Sequence, residues 1–160
     1  MGPRVVSLNR SNGGVPKLAI DEARVTMNGM EGDRQRDRRY HGGPNRALVL
    51  YSLERIEQLK LEGHGIAPGA VGETVTLAGV DWNEMKPGRL VSLGEVEIEL
   101  KSYAAPCKTI RHVFLDEDIT RISQKVHPGW SRLCARVLRE GRIRVGDLVA
   151  IESSPASVLK

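Results

Sequence analysis

The stretch EVEIELKSYAAPCKT, residues 95–109, dominates the fold prediction and places a cysteine beside a cation. Apolar and polar residues alternate over residues 95–101, which predicts a strand with one apolar face. Pro106 cannot donate a hydrogen bond to a neighbouring strand, so the strand should end there and the chain should turn. Cys107 is therefore expected at the mouth of a strand, next to Lys108.

The composition favours a single, mainly β domain over residues 1–160. A chain of 160 residues is long enough to bury a proper core. The 17 glycines and 8 prolines fall between short apolar runs, which indicates many turns. Two cysteines far apart do not make a disulfide framework. Because no run has the length of a membrane span or the apolar core of a secretory signal, we expect a cytoplasmic protein with reduced thiols.

The net charge limits the partners. A charge of +4 and a pI near 9.3 favour an anionic partner without specifying its type. Only 4% of the residues are aromatic, which counts against the stacking platforms of single-stranded nucleic acid binding.

Short strands are predicted along most of the chain. Ser52 is placed to cap a helix over residues 53–61, and Gly63 is a natural stop. A short helix is expected after Asp116. Residues 130–138 fit helical spacing, yet their strand-like surroundings favour a hairpin formed by residues 135–138 and 142–145. The other ranges with strand patterns are residues 4–8, 20–27, 47–51, 71–77, 89–93, 96–101 and 148–151, the pair 89–93 and 96–101 forming a further hairpin.

Residues 31–46 are strongly charged and lack apolar periodicity, which predicts a surface loop. The glycines and proline that follow His41 would let the backbone approach a ligand closely. The competing interpretation is a solvated charged loop with no ligand.

Cys107 has no recognisable catalytic partner in the sequence. A cysteine nucleophile needs a base within hydrogen-bond reach, and His112, five positions away, is not part of a known cysteine-hydrolase signature. A zinc site is also disfavoured, because no C-x-x-C or paired histidine motif is present. A single thiolate with an arginine- and glycine-rich loop suits a soft metal carried inside an anionic organic cofactor. Cys134, beside Leu133, is expected in the core.

The order of motifs resembles the MOSC family, the domain found at the C-terminus of molybdenum cofactor sulfurases and also as small stand-alone proteins. No single matching stretch is specific, but together they run through nearly the whole chain in the family's order. They are residues 9–17, 29–33, 40–48, 68–77, 105–107, 128–130, 136–138 and 146–147.

The resemblance implies a mainly β fold with a MOSC-type barrel and a few short helices. It also implies that Cys107 is either the ligand of molybdenum in the molybdenum cofactor (molybdopterin) or a carrier of persulfide sulfur. Reduction of N-hydroxylated compounds and metal-sulfur cofactor assembly are the implied activities. Asp33 and Glu73 would either have structural roles or support the residues that contact the cofactor. The candidate contacts to the anionic pterin cofactor are Lys17, His41, Gly42, Gly43, Arg46 and Lys108.

Two other functions stay open. A basic β-barrel could bind nucleic acid through its arginine-rich loop, with an affinity that falls steeply with salt. A cofactor-free thiol enzyme would use Cys107 alone. If sulfur does reach Cys107, a separate donor such as a cysteine desulfurase or a pyridoxal phosphate-dependent sulfurase must supply it, and a reductase function would need a redox partner. No membrane association is expected.

Overall fold

The computed structural model describes residues 2–11, 17–33 and 43–152, and these ranges are mainly β. The helix α1 spans Leu53–Leu61, and short 3-10 helices span Pro44–Arg46, Trp82–Glu84, Lys108–Val113 and Ile119–Ile122. The strands are β1 Arg4–Arg10, β2 Leu18–Ile20, β3 Glu22–Thr26, β4 Gly29–Met30, β5 Leu48–Ser52, β6 Val75–Ala78, β7 Leu90–Leu93, β8 Val96–Tyr103, β9 Leu133–Arg139, β10 Gly141–Arg144 and β11 Val149–Ile151.

The strands form one large mixed sheet and one small sheet. The large sheet has eight strands in the order β11-β7-β8-β9-β5-β6-β1-β2, and the small sheet has the order β10-β3-β4. β5 and β6 pair in parallel, with α1 in the connection between them, as a parallel crossover requires. The backbone of β1 also hydrogen-bonds to the segment before β11, through Val5 to Asp147 and Gly146. A continuous ladder that closes the sheet is not seen among the described residues, so the barrel stays a prediction.

β8 confirms the alternation on which the fold prediction rested. Val96, Ile98 and Leu100 are fully buried, whereas the residues between them are partly exposed. β8 pairs with β7 on one side and with β9 on the other, so it lies inside the sheet. The strand ends at Tyr103, ahead of Pro106 as expected.

The helix α1 has the predicted boundaries. The Ser52 hydroxyl accepts a hydrogen bond from the backbone N–H of Arg55 at 3.1 Å. Gly63 ends the helix in a left-handed conformation with φ of 101°, which glycine adopts at little cost. Within the described ranges, no helix is long and apolar enough to cross a membrane.

The C-terminal hairpin prediction was right about the strands and wrong about their pairing. β9 pairs with β5 and β8, so both of its edges are occupied. β10 therefore pairs with β3 in the small sheet. The second predicted strand, over residues 20–27, is likewise divided by a bend at Asp21.

The helix predicted after Asp116 is only a 3-10 turn. Asp118, rather than Asp116, caps this turn by accepting a hydrogen bond from the backbone N–H of Thr120 at 3.0 Å. The Thr120 hydroxyl donates to the same carboxylate oxygen at 2.6 Å. Such local bonds favour a turn over a continuing helix.

A buried polar network joins β1 to the segment before β6. The Asn9 side-chain amide donates to the Glu73 carbonyl at 3.2 Å and to the Thr76 hydroxyl at 3.1 Å. The Thr76 hydroxyl in turn donates to the Glu73 carboxylate at 3.2 Å. Burial raises the pKa of Glu73 to about 7, although backbone amides at Gly69 and Glu73 and the charge of Arg132 oppose the shift.

Truncation of Leu100 should destabilise the protein strongly because its side chain is fully buried in the hydrophobic core. We expect Leu100→Ala to lower the free energy of unfolding by about 2–5 kcal/mol in urea titrations. Leu61→Ala is the matched control, because Leu61 is 83% exposed at the end of α1. Its effect should stay within about 0.5 kcal/mol. Equal losses in the two variants would contradict the placement of β8 in the core.

The buried Glu73 carboxyl should make stability fall as the pH rises. Its folded pKa of about 7 lies above the ordinary value of 4.5, so its stabilising contribution is complete below 4.5 and is lost as the pH rises through 7. Glu73→Gln mimics the protonated carboxyl and does not titrate. Relative to the wild type, this variant should gain up to about 3 kcal/mol of unfolding free energy between acidic and mildly alkaline pH.

Urea titrations at several pH values measure this gain. Glu57→Gln, on the exposed face of α1, is the control and should follow the wild-type curve. If the Glu73→Gln curve runs parallel to the wild type, Glu73 does not titrate as proposed.

Candidate functional site

The loop after β8 holds Cys107 in a defined position. Beyond the end of β8, the backbone N–H of Ala104 still donates to the Arg132 carbonyl at 2.9 Å. Cys107 then begins the 3-10 helix Lys108–Val113, which is anchored in the core by Ile110. The Cys107 sulfur is partly exposed and lies 2.8 Å from the Thr109 hydroxyl. The thiol therefore sits at the strand mouth, as the sequence predicted.

Arg132 is the central cation of the site. It is only 7% exposed. Its guanidinium donates to the carbonyl of Val71 at 2.8 Å and to that of Ala105 at 3.2 Å. The Nε atom is buried without a hydrogen-bond partner among the described residues. Burial lowers the pKa of Arg132, and the nearby sulfurs of Cys134 and Cys107 and the carboxyl of Glu73 oppose that shift.

Both cysteines are close enough to Arg132 to affect its pKa, but they differ in exposure. Cys134 is 4% exposed, which confirms the prediction that it is a core residue. Burial raises the pKa of the Cys134 thiol, whereas Arg132 and Arg46 lower it. Arg46 itself is exposed at the end of the 3-10 helix Pro44–Arg46. The site therefore has an open thiol, a buried thiol and two arginines.

Lys17 is buried and paired, unlike the exposed lysine that a phosphate contact would need. Its ammonium group pairs with the Asp33 carboxylate at 2.5 Å, and both side chains are buried. The other Asp33 oxygen accepts the backbone N–H of Ser11 at 2.8 Å. Asp33 thus ties together the two ends of the segment between Ser11 and Lys17, which agrees with the structural role expected for it. A contact from Lys17 to a cofactor stays a prediction.

Only some of the remaining candidate cofactor contacts lie within the described residues. Lys108 is exposed beside Cys107, and Gly43 is exposed with φ of 95°. His41, Gly42 and the arginine-rich residues 34–39 lie outside the described residues. Of the described histidines, none hydrogen-bonds to Cys107, and His64 accepts the backbone N–H of Leu115 at 3.0 Å instead.

This arrangement suits a soft metal and an anion better than acid-base catalysis. An accessible thiolate is a ligand for soft metals, and a buried guanidinium with an unused N–H attracts an anion. Within residues 2–11, 17–33 and 43–152, no group of three histidine, cysteine, aspartate or glutamate side chains could hold a metal ion by itself. A metal bound at Cys107 would therefore need further ligands that these side chains do not supply.

Sequence reasoning missed Arg132. The sequence shows Arg132 only as a charged residue directly before the apolar run that begins with Leu133. A charge at a strand start is ordinarily a surface feature, so its burial could not be read from the pattern.

Comparisons with known proteins agree on one domain family. The profile of the MOSC domain matches residues 37–150. Protein YiiM of Escherichia coli (strain K12) is 31% identical over 126 residues, which cover 72% of this chain and 54% of that protein. The uncharacterized protein YflK of Bacillus subtilis (strain 168) is 29% identical over 118 residues, which cover 72% of this chain and 52% of YflK. The chain spans about half the length of these curated relatives.

The fold agrees with that relationship. The crystal structure of YiiM from Geobacillus stearothermophilus superimposes with a TM-score of 0.75 at 21% sequence identity, covering 94% of this chain and 75% of that one. At this identity the likeness concerns the fold alone. The profile match extends over most of the chain and includes Cys107 and Arg132. The chain belongs to the MOSC domain family.

Proposed function

We propose that this chain binds the molybdenum cofactor, with Cys107 as the ligand of molybdenum. The observation that carries the proposal is the buried Arg132 guanidinium, whose Nε lacks a partner among the described residues and which is electrostatically coupled to Cys107. MOSC domains are associated with this cofactor. Its metal centre would be matched by the Cys107 thiol, and its anionic pterin by the positive charge of Arg132.

The residues fit the cofactor in kind. Cys107 offers a partly exposed thiol for the soft metal centre. Arg132 offers a cation that no carboxylate neutralises directly within the described ranges. Arg46 and Lys108 are exposed and add positive charge for the anionic pterin. Lys17 contributes least to this cradle, because Asp33 already neutralises its charge.

The protein's own groups have separate tasks in this proposal. The carbonyls of Val71 and Ala105 hold the guanidinium of Arg132 in place. Arg132 places a buried positive charge near Cys107, and the thiolate is the form of cysteine that binds metals. The Thr109 hydroxyl can donate to the same sulfur across 2.8 Å. When bound, the molybdenum cofactor supplies two-electron redox chemistry, and reduction of N-hydroxylated compounds is the activity class we propose.

Cys107 as a persulfide carrier is the second candidate function. It is favoured by the partial exposure of this sulfur, which a protein sulfur donor could reach. A cysteine desulfurase or a pyridoxal phosphate-dependent sulfurase would be that donor, whereas the reductase function needs a redox partner.

We further propose a single cytoplasmic domain whose large sheet curves toward a barrel, supported by the hydrogen bonds between β1 and the segment before β11.

Replacement of Cys107 should abolish molybdenum binding. We expect Cys107→Ser, purified from cells that make the cofactor, to hold at least about tenfold less molybdenum than the wild type by elemental analysis, since a hydroxyl is a poor soft-metal ligand. Cys134→Ser is the matched control and should keep its molybdenum. Equal molybdenum in Cys107→Ser and the wild type would exclude the ligand role. A wild-type mass increased by one sulfur atom, with no molybdenum, would support the persulfide carrier.

Loss of the Arg132 charge should weaken cofactor retention without exposing the core. We expect Arg132→Met to hold about 10–100-fold less molybdenum, because a group that tunes a metal ligand typically affects affinity by that amount. Arg136→Met, an exposed position on β9, is the matched control and should behave as the wild type. Circular dichroism checks that both variants fold. A folded Arg132→Met protein with full molybdenum content would contradict the anion-binding role.

A further inference from the structure

A cavity of about 260 Å³ lies beside the Cys107 loop and is not used by the proposed cofactor site. Tyr103 and Ser131 line it, and they immediately precede the loop and Arg132 in the chain. The Ser131 hydroxyl lies 2.7 Å from the Arg132 carbonyl and 3.2 Å from that of Ala104. Ser131 therefore connects the lining of the cavity to the backbone of the thiol loop at Ala104.

Four residues that line this cavity carry side-chain hydrogen-bond donors: Asn83, Lys86, Tyr103 and Gln124. Gln124 accepts the backbone N–H of Gly129 at 2.9 Å through its carbonyl oxygen, which leaves its NH₂ group to serve as a donor. Asn83 is oriented in the same way, because its carbonyl oxygen accepts from Arg55 at 3.4 Å. Neither NH₂ group donates to another described residue. Lys86 and Tyr103 add an ammonium group and a phenol to the same lining.

The charged side chains that line the cavity are positive only. Its lining contains the cation of Lys86 and no acidic side chain. Glu84, the acidic residue nearest to Lys86 in sequence, is paired with Arg89 at 3.0 Å. Lys86 has no carboxylate partner among the described residues. An acceptor-rich anion would satisfy these donors, whereas a cation would meet repulsion.

The lining also contains apolar side chains. Trp82 is held in place by a hydrogen bond from its indole N–H to the Ser131 carbonyl at 2.9 Å. Met85 and Pro128 complete the apolar part of the lining. The volume lies just below the range of about 300–1,000 Å³ that is typical of drug-sized ligands, so a smaller molecule is expected.

We propose that this cavity is a binding site for a small organic anion, one with a planar apolar body and a carboxylate. The apolar body packs against Trp82, and the carboxylate accepts hydrogen bonds from Lys86, Asn83 and Gln124. The site is separate from the proposed cofactor ligand and needs no bound molybdenum.

Benzoate and benzamide are suitable probes, because they share a planar ring and differ in charge. Trp82 lines the cavity, and the chain contains one other tryptophan, so intrinsic fluorescence can report binding. Benzoate should produce a saturable change and bind at least about tenfold more tightly than benzamide, as expected for a charge-assisted hydrogen bond. Trp82→Phe should remove most of the signal.

Lys86→Met supplies the decisive variant. It should weaken benzoate binding by about tenfold and leave benzamide binding unchanged. Lys60→Met, at an exposed position on α1, is the matched control and should change neither. Equal affinity for both probes, no saturable change with millimolar benzoate, or full benzoate affinity in Lys86→Met would overturn the proposal.

Cys107→Ser should retain benzoate binding even if it loses molybdenum. Failure of this inference is therefore distinguishable from failure of the cofactor proposal.

Discussion

The burial of the Arg132 guanidinium is the constraint on which the site depends. A buried charge is tolerated only when its donors are matched by acceptors, and the matching acceptors here are backbone carbonyls. Val71 provides one carbonyl from the segment before β6, and Ala104 and Ala105 provide others from the loop that leads to Cys107. Because the carbonyls must point at Arg132, the path of the thiol loop follows from the position of this one side chain. The Nε atom is the one donor atom of this guanidinium that is buried without a partner among the described residues.

The two central strands supply the rigidity that this arrangement needs. β8 and β9 are paired through Ser102 opposite Cys134 and Tyr103 opposite Leu133. The bond from Ala104 to the Arg132 carbonyl continues that pairing by one more step. Cys107 is therefore held near the end of a central strand pair. Functional groups carried on such scaffolds keep a more exact geometry than groups on long mobile loops.

Local signals in the sequence predicted the parts of the fold that are locally determined. The alternation over residues 95–101 and the Ser52 cap both depend on neighbours within a few positions, and both predictions were confirmed. The pairing of β10 with β3 and the ion pair between Lys17 and Asp33 depend on contacts between distant segments, which a single sequence does not reveal. The burial of Arg132 could not be predicted for the same reason, because it arises only when β8 and β9 pair. The approach of Cys107 to a cation was expected from Lys108, yet the residue that provides the buried charge is Arg132.

The two cysteines differ in exposure and not in whether a positive charge lies nearby. Arg132 interacts electrostatically with both sulfurs, and Arg46 acts on Cys134 as well. Burial nevertheless raises the pKa of the Cys134 thiol and outweighs both arginines. Cys107 has the same buried cation for a neighbour but keeps partial contact with solvent. A ligand or a sulfur donor could therefore reach Cys107, whereas Cys134 is enclosed in the core.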